Sequence, residues 1–248
     1  MRRVAMVTGA SDGIGAVTAV TLARAGWDLA VHCRANRAGA ERTAAAVSAE
    51  GGRAVILTAD LADPAAPEAL FTAFDAAFPR IDALINNAGI VAPKARVEAM
   101  TPDRLAPVFA VNLVAPFLLA GAAVRRMSTA RGGAGGVIVN VSSVAARLGS
   151  AGEYVDYAAA KAGLDALTLG LAAEVATEGI RVVTVRPGVI ATAIHAKGGQ
   201  PGREARIAPL VPMRRAGRPE EIAEAIAWLV SDNASYVTGS FLDVSGGR

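Results

Sequence analysis

The chain has 248 residues, 53% of them hydrophobic, which predicts one large core in a single domain spanning residues 1–248. Its single cysteine, Cys33, excludes an internal disulfide framework, and two histidines are too few to complete a structural zinc site. We therefore expect no metal and a reducing, cytoplasmic location. The 25 basic and 22 acidic residues are scattered and leave a formal charge of +3, so no basic stripe indicates a nucleic-acid partner.

Short β-branched apolar runs alternate along the chain with Ala-, Glu- and Leu-rich helical stretches. Strands buried on both faces of a sheet have this continuous apolar character, and the connecting stretches are long enough for crossover helices. The pattern predicts an α/β protein with a Rossmann-like, doubly wound parallel sheet of about seven strands in the order 3-2-1-4-5-6-7, with helices on both faces. The predicted strands are residues 4–7, 29–31, 54–57, 83–85, 137–141, 181–185 and 241–244, and the first three helices are residues 14–25, 38–50 and 67–78.

The sequence TGASDGIG at residues 8–15 follows the first predicted strand and has two incompatible interpretations. Gly9, Gly13 and Gly15 can form a turn that binds a pyrophosphate at a helix N-terminus. Residues 9–13 also fit the G-x-S-x-G elbow of a hydrolase, with Ser11 as the nucleophile. Because that elbow would follow only one predicted strand, we favour the dinucleotide site and keep the hydrolase as the alternative.

Residues 105–124 contain no charged side chain, and an uncharged run of 20 residues has the length of a membrane span. Pro107, Asn112 and Pro116 interrupt the run, and its Ala, Leu and Phe content suits a helix that is buried on two sides. We therefore expect no membrane association and interpret the segment as a helix at a subunit interface.

Tyr157 and Lys161 lie four residues apart in a strongly helical segment, so their side chains share one face of the helix. A phenol ordinarily titrates near pH ~10, and a neighbouring ammonium favours its ionised form. The pair therefore predicts an acid–base site. A half-buried tyrosine beside a surface lysine is the purely structural alternative.

The sequence VNVSS at residues 139–143 ends a predicted strand at the carboxyl edge of the sheet, where doubly wound folds bind their ligands. A hydroxyl at this place can polarise a carbonyl oxygen. With these motifs together, the chain resembles the classical short-chain dehydrogenase/reductase family, near its 3-oxoacyl-carrier-protein reductases and glucose 1-dehydrogenase-like members. The matching motifs run in family order from residue 4 to residue 247 and include Thr8-Gly9-x-x-x-Gly13-Ile14-Gly15, Asn86-Asn87-Ala88-Gly89, Asn112, Ser143, Tyr157-x-x-x-Lys161 and Pro187-Gly188.

The resemblance implies a catalytic set of Asn112, Ser143, Tyr157 and Lys161. Tyr157 would be the general acid–base, and Ser143 would hydrogen-bond the substrate carbonyl or hydroxyl. Lys161 would bind the nicotinamide ribose and lower the pKa of Tyr157, and Asn112 would hold a water in a proton relay. A shift of three pH units in the phenol corresponds to about 4 kcal/mol, which a nearby cation and the cofactor charge can supply.

The chain departs from the family pattern between its serine and its tyrosine. Ser143 and Tyr157 are 14 positions apart, one more than the commonest family spacing, which predicts an extra residue within residues 144–154. Ser142 fits less well, because strand neighbours point to opposite faces. Tyr154 lies near the face of Tyr157 but lacks a lysine four residues later, so we interpret it as a wall of the substrate pocket.

The residues after the second predicted strand indicate which cofactor binds. NAD-preferring relatives usually carry an acidic residue there, whereas this chain has Arg34, with Arg37 nearby, and either can pair with a 2′-phosphate. We therefore expect NADP(H), with NAD(H) as the alternative. Asp12 argues mildly for NAD(H), because many NADP-preferring relatives carry a basic residue at that position. An ordinary solvated arginine is the simpler account of Arg34.

The resemblance implies further cofactor contacts along the chain. Asp60 would accept a hydrogen bond from adenine, although it also suits a helix cap. Asn87 would line the cofactor and steady the central strands, and Pro187-Gly188 would grip the nicotinamide; both also fit ordinary turns. The full predicted set is Gly9, Ser11, Asp12, Gly13, Ile14, Gly15, Arg34, Asp60, Leu61, Asn87, Ala88, Gly89, Tyr157, Lys161, Pro187, Gly188, Ile190 and Thr192.

Residues 192–212 lose the alternating pattern and contain three glycines that allow hinge motion, which predicts a lid over the substrate. His195 lies in this segment, and we expect it to be a lid or surface residue rather than a catalytic base. The predicted substrate contacts are Ser143, Tyr154, Val189 and Ile194, with Val91, Pro93 and Val144 as further apolar candidates.

The expected function is an NADP(H)-dependent oxidoreductase that transfers a hydride between nicotinamide and a small-molecule ketone or secondary alcohol. By family resemblance we expect a homotetramer or a homodimer. The alternative from another class is a non-catalytic NADP(H)-sensing protein with the same fold, which would not need the acid–base set. Apolar walls do not name the substrate, because sugars also bind on them. A carrier-protein substrate would require a basic entrance, for which Arg96, Arg203 and Arg206 are candidates.

Overall fold

The strands form one parallel sheet in the order β3-β2-β1-β4-β5-β6-β7, which confirms the predicted Rossmann-like α/β fold and its strand order. The computed structural model describes residues 2–248, and the side chain of His195 lies outside what it describes. The strands are β1 (Arg3–Val7), β2 (Trp27–Cys33), β3 (Ala54–Thr58), β4 (Ala83–Asn86), β5 (Gly136–Val141), β6 (Ile180–Pro187) and β7 (Ser240–Val244).

Helices connect the strands and cover both faces of the sheet. They are α1 (Gly13–Arg24), α2 (Arg37–Ala49), α3 (Ala66–Ala77), α4 (Pro102–Phe109), α5 (Ala115–Met127), α6 (Ala145–Leu148), α7 (Val155–Val175), α8 (Ile194–Lys197), α9 (Arg203–Ile207) and α10 (Pro219–Val230). The first three begin and end within one residue of the predicted bounds. β2 is longer than its apolar run because Asp28 and His32, which interrupt that run, both have hydrogen-bond partners within the fold.

The core lies in two layers, one on each side of the sheet. Alternate residues of β1 show the division, since Ala5 and Val7 belong to one cluster and Val4 and Met6 to the other. The first cluster contains apolar residues of α1, α2 and α10, and the second contains those of α3, α5 and α7. The sheet is therefore buried on both faces, as its continuous apolar strands predict.

The uncharged segment forms one helical stretch, Pro102–Met127, which by length and composition alone could cross a membrane. Half of its most apolar window is buried inside the chain, as is typical of a core helix. A short π-helix, Ala110–Val114, joins α4 to α5. Within the single chain Leu119 and Ala120 pack into the core, whereas Phe117 and Leu118 are 48% and 41% exposed, and burial of this second side at a subunit interface stays a prediction.

A buried polar chain fixes α7 against the centre of the sheet. Asn86 of β4 donates to Asn140 of β5, whose amide donates to Thr168 of α7 at 2.8 Å, and Thr168 in turn shares a hydrogen bond with Thr184 of β6. Such a network has few alternative arrangements in an apolar core. It holds the helix that carries the predicted tyrosine and lysine in one register on the sheet.

Candidate active site

The main cavity, of about 290 Å³, lies at the carboxyl ends of the strands, where the strand order reverses between β1 and β4. Nearly every residue predicted to bind cofactor or substrate lines it, although these residues come from segments spread between positions 9 and 194. The exceptions are Gly15 and Asn112, which are buried outside the lining, and the candidates Arg37 and Pro93. The fold thus brings the predicted site together in one place.

The turn between β1 and α1 needs its glycines for two different reasons. Gly9 and Gly13 have left-handed backbone, with φ of +64° and +55°. A Cβ on Gly15 would lie 2.4 Å from Asn87 Nδ2 and 2.5 Å from Gly9 O, so this position is glycine because helix and turn pack closely. The helix begins at Gly13 and directs its N-terminus towards the cavity, as an anion site requires.

Two residues tie the glycine turn to the strand across the switch point. The Thr8 hydroxyl accepts hydrogen bonds from the backbone N–H groups of Asn87 and Ala88, and the Asn87 amide donates to the carbonyls of Thr8 and Gly9. Asn87 therefore joins β1 to β4 in addition to lining the cavity, in agreement with the expectation that it steadies the central strands.

His32 is a cavity residue whose structural part the motif analysis missed. Its Nδ1 accepts a hydrogen bond from Gly9 N at 3.1 Å, and its Nε2 lies 3.1 Å from the carbonyl of Ala59. These contacts require a neutral ring with the proton on Nε2. Burial lowers the pKa of His32, although the Ala59 carbonyl and the Asp60 charge oppose this. The sequence feature that could have revealed this part of His32 is its place near the end of β2, two residues before Arg34.

We expect the protein to lose stability through His32 as the pH falls from 7.5 to 5.5. The unfolded chain takes up this proton near pH 6.5, whereas the folded protein binds it less tightly, so the unfolded state binds more protons below that pH. The free energy of unfolding should then fall by up to about 1.4 kcal/mol per pH unit. Urea unfolding across this range measures the effect.

The matched variant is His32→Asn, because an asparagine oxygen can accept the Gly9 N–H and does not titrate. It should remove this part of the pH dependence while remaining folded at pH 7.5. Equal slopes for wild type and His32→Asn would contradict the assignment to His32.

The Tyr157 phenol and the Ser143 hydroxyl face the same part of the cavity. Burial raises the pKa of Tyr157 to about 12, while the Ser143 hydroxyl and the Arg203 charge act in the opposite direction. The protein's own groups therefore do not lower the pKa of Tyr157, because the cost of burying phenolate exceeds the stabilisation from its neighbours, and the lowered pKa expected with the cofactor charge stays a prediction. The raised pKa keeps the Tyr157 phenol neutral at physiological pH.

Lys161 reaches the cavity from one turn further along α7. Its Nζ donates to the carbonyl of Val141 at 2.8 Å and lies 5.7 Å from the centre of the Tyr157 ring. Burial lowers the pKa of Lys161 to about 8, with Asp165 opposing. The ammonium is thus held beside the phenol ring by the end of β5 rather than directly hydrogen-bonded to the phenol.

Asn112 is fully buried in the π-helix, and its side chain is satisfied by backbone groups. Its amide donates to the carbonyls of Ile90 and Val108, and its oxygen accepts from Ile90 N. The side chain therefore holds the segment after β4 in place. A Cβ on Gly89 would lie 2.9 Å from the Asn112 oxygen, which explains why glycine occupies this position.

The charged groups at the end of the cavity away from Tyr157 lie around the end of β2. Arg34 is exposed and lines the cavity. Arg37 pairs with Glu41 at 3.1 Å. Asp60 accepts from Ala62 N, so it also makes the turn that the alternative interpretation proposed. Asp12 pairs with Lys197 at 2.6 Å, which compensates its negative charge and weakens the sequence argument for NAD(H).

Residues 192–212 cover the opposite end of the cavity with α8, α9 and the turns between them. Lys197 connects this segment to the glycine turn through Asp12. Gln200 donates to the Tyr154 hydroxyl, which places Tyr154 in the cavity wall. The segment that contains Tyr154, where an extra residue is predicted, has left-handed backbone at Gly149, Ser150 and Gly152. The prediction for His195 concerns a side chain that is not described.

The comparisons with known proteins agree with this geometry. A family model described as Enoyl-(Acyl carrier protein) reductase matches residues 9–248. The chain belongs to the short-chain dehydrogenase/reductase family. It is an oxidoreductase that acts on alcohol or ketone groups with a nicotinamide cofactor, and the hydrolase interpretation of TGASDGIG is wrong.

This short-chain dehydrogenase/reductase is 50% identical over 245 residues to "Uncharacterized oxidoreductase YgfF" of Escherichia coli K12, with 99% of each chain covered. It is 42% identical over 246 residues to cis-4-hydroxycyclohexanecarboxylate dehydrogenase of Sinomonas cyclohexanicum, covering 99% of this chain and 96% of the relative. A relative named 3-oxoacyl-[acyl-carrier-protein] reductase FabG, from Salmonella typhimurium, is 37% identical over 99% of this chain and 96% of its own length. Glucose 1-dehydrogenase 2 of Bacillus subtilis is 34% identical over 99% of this chain and 94% of its own length. These two relatives confirm the predicted similarity to the 3-oxoacyl-carrier-protein reductases and glucose 1-dehydrogenase-like members of the family.

Among solved structures, the angucycline C-6 ketoreductase LanV with bound NADP superposes with a TM-score of 0.90 at 32% identity. The superposition covers 99% of this short-chain dehydrogenase/reductase and 95% of LanV. The chain's own features fit a dinucleotide. Its glycine turn and the α1 N-terminus line the cavity, and a Cβ on Gly13 would lie 3.4 Å from Thr192 across it. The cavity then continues without a break to Tyr157.

Proposed function

We propose that the protein is an NADP(H)-dependent oxidoreductase that interconverts a ketone and a secondary alcohol. The observation that carries this proposal is the neutral, partly buried Tyr157 phenol, which shares one cavity with the Ser143 hydroxyl and the Lys161 ammonium. A proton donor beside a hydroxyl that can polarise a carbonyl is what ketone reduction requires.

In the proposed mechanism each of these residues has one part. When bound, the nicotinamide supplies the hydride. Ser143 donates a hydrogen bond to the substrate oxygen, and Tyr157 gives its proton to that oxygen as negative charge develops there. Lys161 binds the ribose of the cofactor and stabilises the phenolate that remains. Asn112 holds the segment after β4 and orients the relay through which the proton is replaced.

A cofactor sensor without turnover is the alternative. It is disfavoured because a sensor has no use for a buried phenol and a serine aimed at the same point. NADPH consumption with a panel of ketones, aldehydes, keto-sugars and 3-oxoacyl thioesters tests the choice. Turnover supports the enzyme, and tight NADPH binding without turnover on the whole panel would support the sensor.

We further propose that the predicted residues divide the cavity between cofactor and substrate. The dinucleotide would extend along the glycine turn, Arg34 and Asp60 towards Pro187 and Thr192. The substrate would occupy the end formed by Ser143, Tyr154, Val189 and Ile194, under a lid at about residues 192–212. Residues 1–248 would act as one domain in the cytoplasm.

Arg34 is the proposed selector of NADP(H) over NAD(H). Arg34→Ala should weaken NADPH binding by about 10- to 100-fold, because a charge-assisted hydrogen bond to the 2′-phosphate is lost, and should leave NADH binding within threefold. Titration of intrinsic fluorescence with each cofactor gives the ratio. Arg37→Ala is the matched control, since Glu41 already engages Arg37. An unchanged NADPH to NADH ratio in Arg34→Ala would overturn the assignment.

A homotetramer, or at least a homodimer, is the proposed assembly. Phe117 and Leu118 of α5 and Leu169 of α7 form an exposed apolar patch on adjacent helices, and water-exposed patches of this kind often mark subunit contacts. Sedimentation of the purified protein tests the proposal, and the mass of a single chain would contradict it.

A further inference from the structure

The cavity wall near Tyr157 contains a buried arginine that the proposed mechanism does not use. Arg203 begins α9, is 9% exposed and lines the main cavity. Burial raises the pKa of Tyr157, and the charge of Arg203 is among the influences that lower it, so the guanidinium lies within electrostatic reach of the phenol. Arginine is rarely buried without partners that compensate its charge.

Two residues of the loop before α7 hold Arg203. Its Nη2 donates to the Glu153 carboxylate at 2.5 Å, and the guanidinium carbon lies 5.4 Å from the centre of the Tyr154 ring. Its Nε is buried and has no hydrogen-bond partner within the described part of the chain. Glu153 therefore satisfies only part of the guanidinium, which lines the same cavity as Tyr157 and Ser143.

The charges around Glu153 favour an additional anion. Arg206 lies 3.8 Å from the second carboxylate oxygen. Burial would raise the pKa of Glu153, but Arg203, Arg206 and Lys94 together hold it below its usual value, so the carboxylate is ionised. Three cations then surround one carboxylate, and a second carboxylate placed among them would be attracted rather than repelled.

We propose that Arg203 binds a carboxylate of the substrate, so that the enzyme acts on oxocarboxylates and the corresponding hydroxy acids. The substrate ketone would lie at Tyr157 and Ser143 while its carboxylate meets the guanidinium, whose fork of donors matches the two oxygens. This inference rests on the proposed function. Arg203 is too deeply buried to form a docking surface for a carrier protein, whereas Arg96 and Arg206 are exposed.

The ion pair with Glu153 also connects residues 192–212 to the loop before α7. A purely structural role in this connection is the alternative explanation for Arg203. The two accounts predict different substrate dependence. Loss of a structural ion pair would reduce turnover of every substrate to the same degree. Loss of a carboxylate-binding residue would affect only substrates that carry a carboxylate.

The test compares aliphatic and cyclic oxocarboxylates of increasing length, each paired with its methyl ester, in NADPH-dependent reduction. Wild type should prefer the best acid to its ester in kcat/KM. Arg203→Gln should reduce this acid-to-ester ratio by about 10- to 100-fold, mainly through KM, as loss of a charge-assisted hydrogen bond predicts. Arg203→Lys should recover part of the ratio. Arg24→Gln, which removes an equal charge from an exposed position at the end of α1, should change it less than threefold.

The possible outcomes separate the two proposals. Equal losses of kcat/KM for acid and ester in Arg203→Gln would overturn carboxylate binding by Arg203 and leave the proposed oxidoreductase function intact. A wild-type preference for esters or for 3-oxoacyl thioesters would have the same consequence. An absence of turnover on acids, esters and thioesters alike, with NADPH bound, would overturn the proposed function and this inference together. A fall in the ratio confined to the Arg203 variants supports the anchor.

Discussion

Tyr157→Phe should reduce kcat for ketone reduction by about 10²- to 10⁴-fold, the usual contribution of a general acid, while the protein stays folded and still binds NADPH. The substitution removes only the phenol oxygen, and the ring remains to fill its place among the cavity walls. Steady-state kinetics with any ketone that wild type reduces, together with cofactor titration, measures both effects.

Tyr154→Phe is the comparison variant, because it removes the other buried phenol of the same cavity wall. The Tyr154 hydroxyl bonds to Gln200 in the lid segment rather than facing Ser143, so this variant should change KM more than kcat. Retained turnover in Tyr157→Phe, with loss in Tyr154→Phe, would exchange the two assignments.

Gly9→Ala should abolish tight cofactor binding and lower the stability of the protein by about 2–5 kcal/mol. Left-handed backbone costs an alanine about 1–2 kcal/mol. The new Cβ would also lie 2.9 Å from the backbone Cα of Ala88, which must shift, and we expect such crowding to cost a further 1–3 kcal/mol or so. Thermal unfolding and NADPH titration measure the two effects.

Gly51→Ala isolates the backbone contribution. Gly51 has a φ of +78°, and a Cβ there would meet no atom within 4 Å. It lies after α2, away from the main cavity, so this variant should lose only about 1–2 kcal/mol and bind NADPH as wild type does. If the two alanine variants behaved alike in both measurements, close packing of the glycine turn against β4 would not be what cofactor binding requires.

The fold was predictable because the evidence for it is local. Each strand buried on both faces is a continuous apolar run, and each connecting segment has helical composition, so the layer arrangement follows from the order of elements. The predicted strand boundaries were wrong where polar residues belong to a strand. His32 interrupts the apolar pattern of β2, yet the strand continues through it because its ring bonds to Gly9 and Ala59, which are distant in sequence.

The position of the site was predictable, but its electrostatics were not. The spacing of Tyr157 and Lys161, together with the family resemblance that added Ser143, was enough to place the three residues in one cavity. The direction of the Tyr157 pKa depends instead on how completely the surrounding walls exclude water, and no spacing contains that information. Burial therefore raises the pKa of Tyr157, whereas the neighbouring lysine in the sequence suggested a lowered one.

The charged contacts of the lid segment were also beyond sequence analysis. Arg203 meets Glu153 across 50 positions, and Lys197 meets Asp12 across 185. These pairs depend on how an irregular segment folds back over the cavity, and irregular segments have no periodicity that predicts their contacts. The burial of Arg203, and hence the proposed carboxylate anchor, became visible only in three dimensions.

Hydride transfer itself is the most direct test of the account. Wild-type protein is incubated with NADPH deuterated at the transferable position and a mixture of carbonyl compounds that includes neutral ketones and oxocarboxylates, and the products are analysed by mass spectrometry. We expect a secondary alcohol with deuterium on its carbinol carbon, and at least 100-fold less of it from Tyr157→Phe. Saturating NADPH binding with the label retained on the cofactor throughout would contradict it.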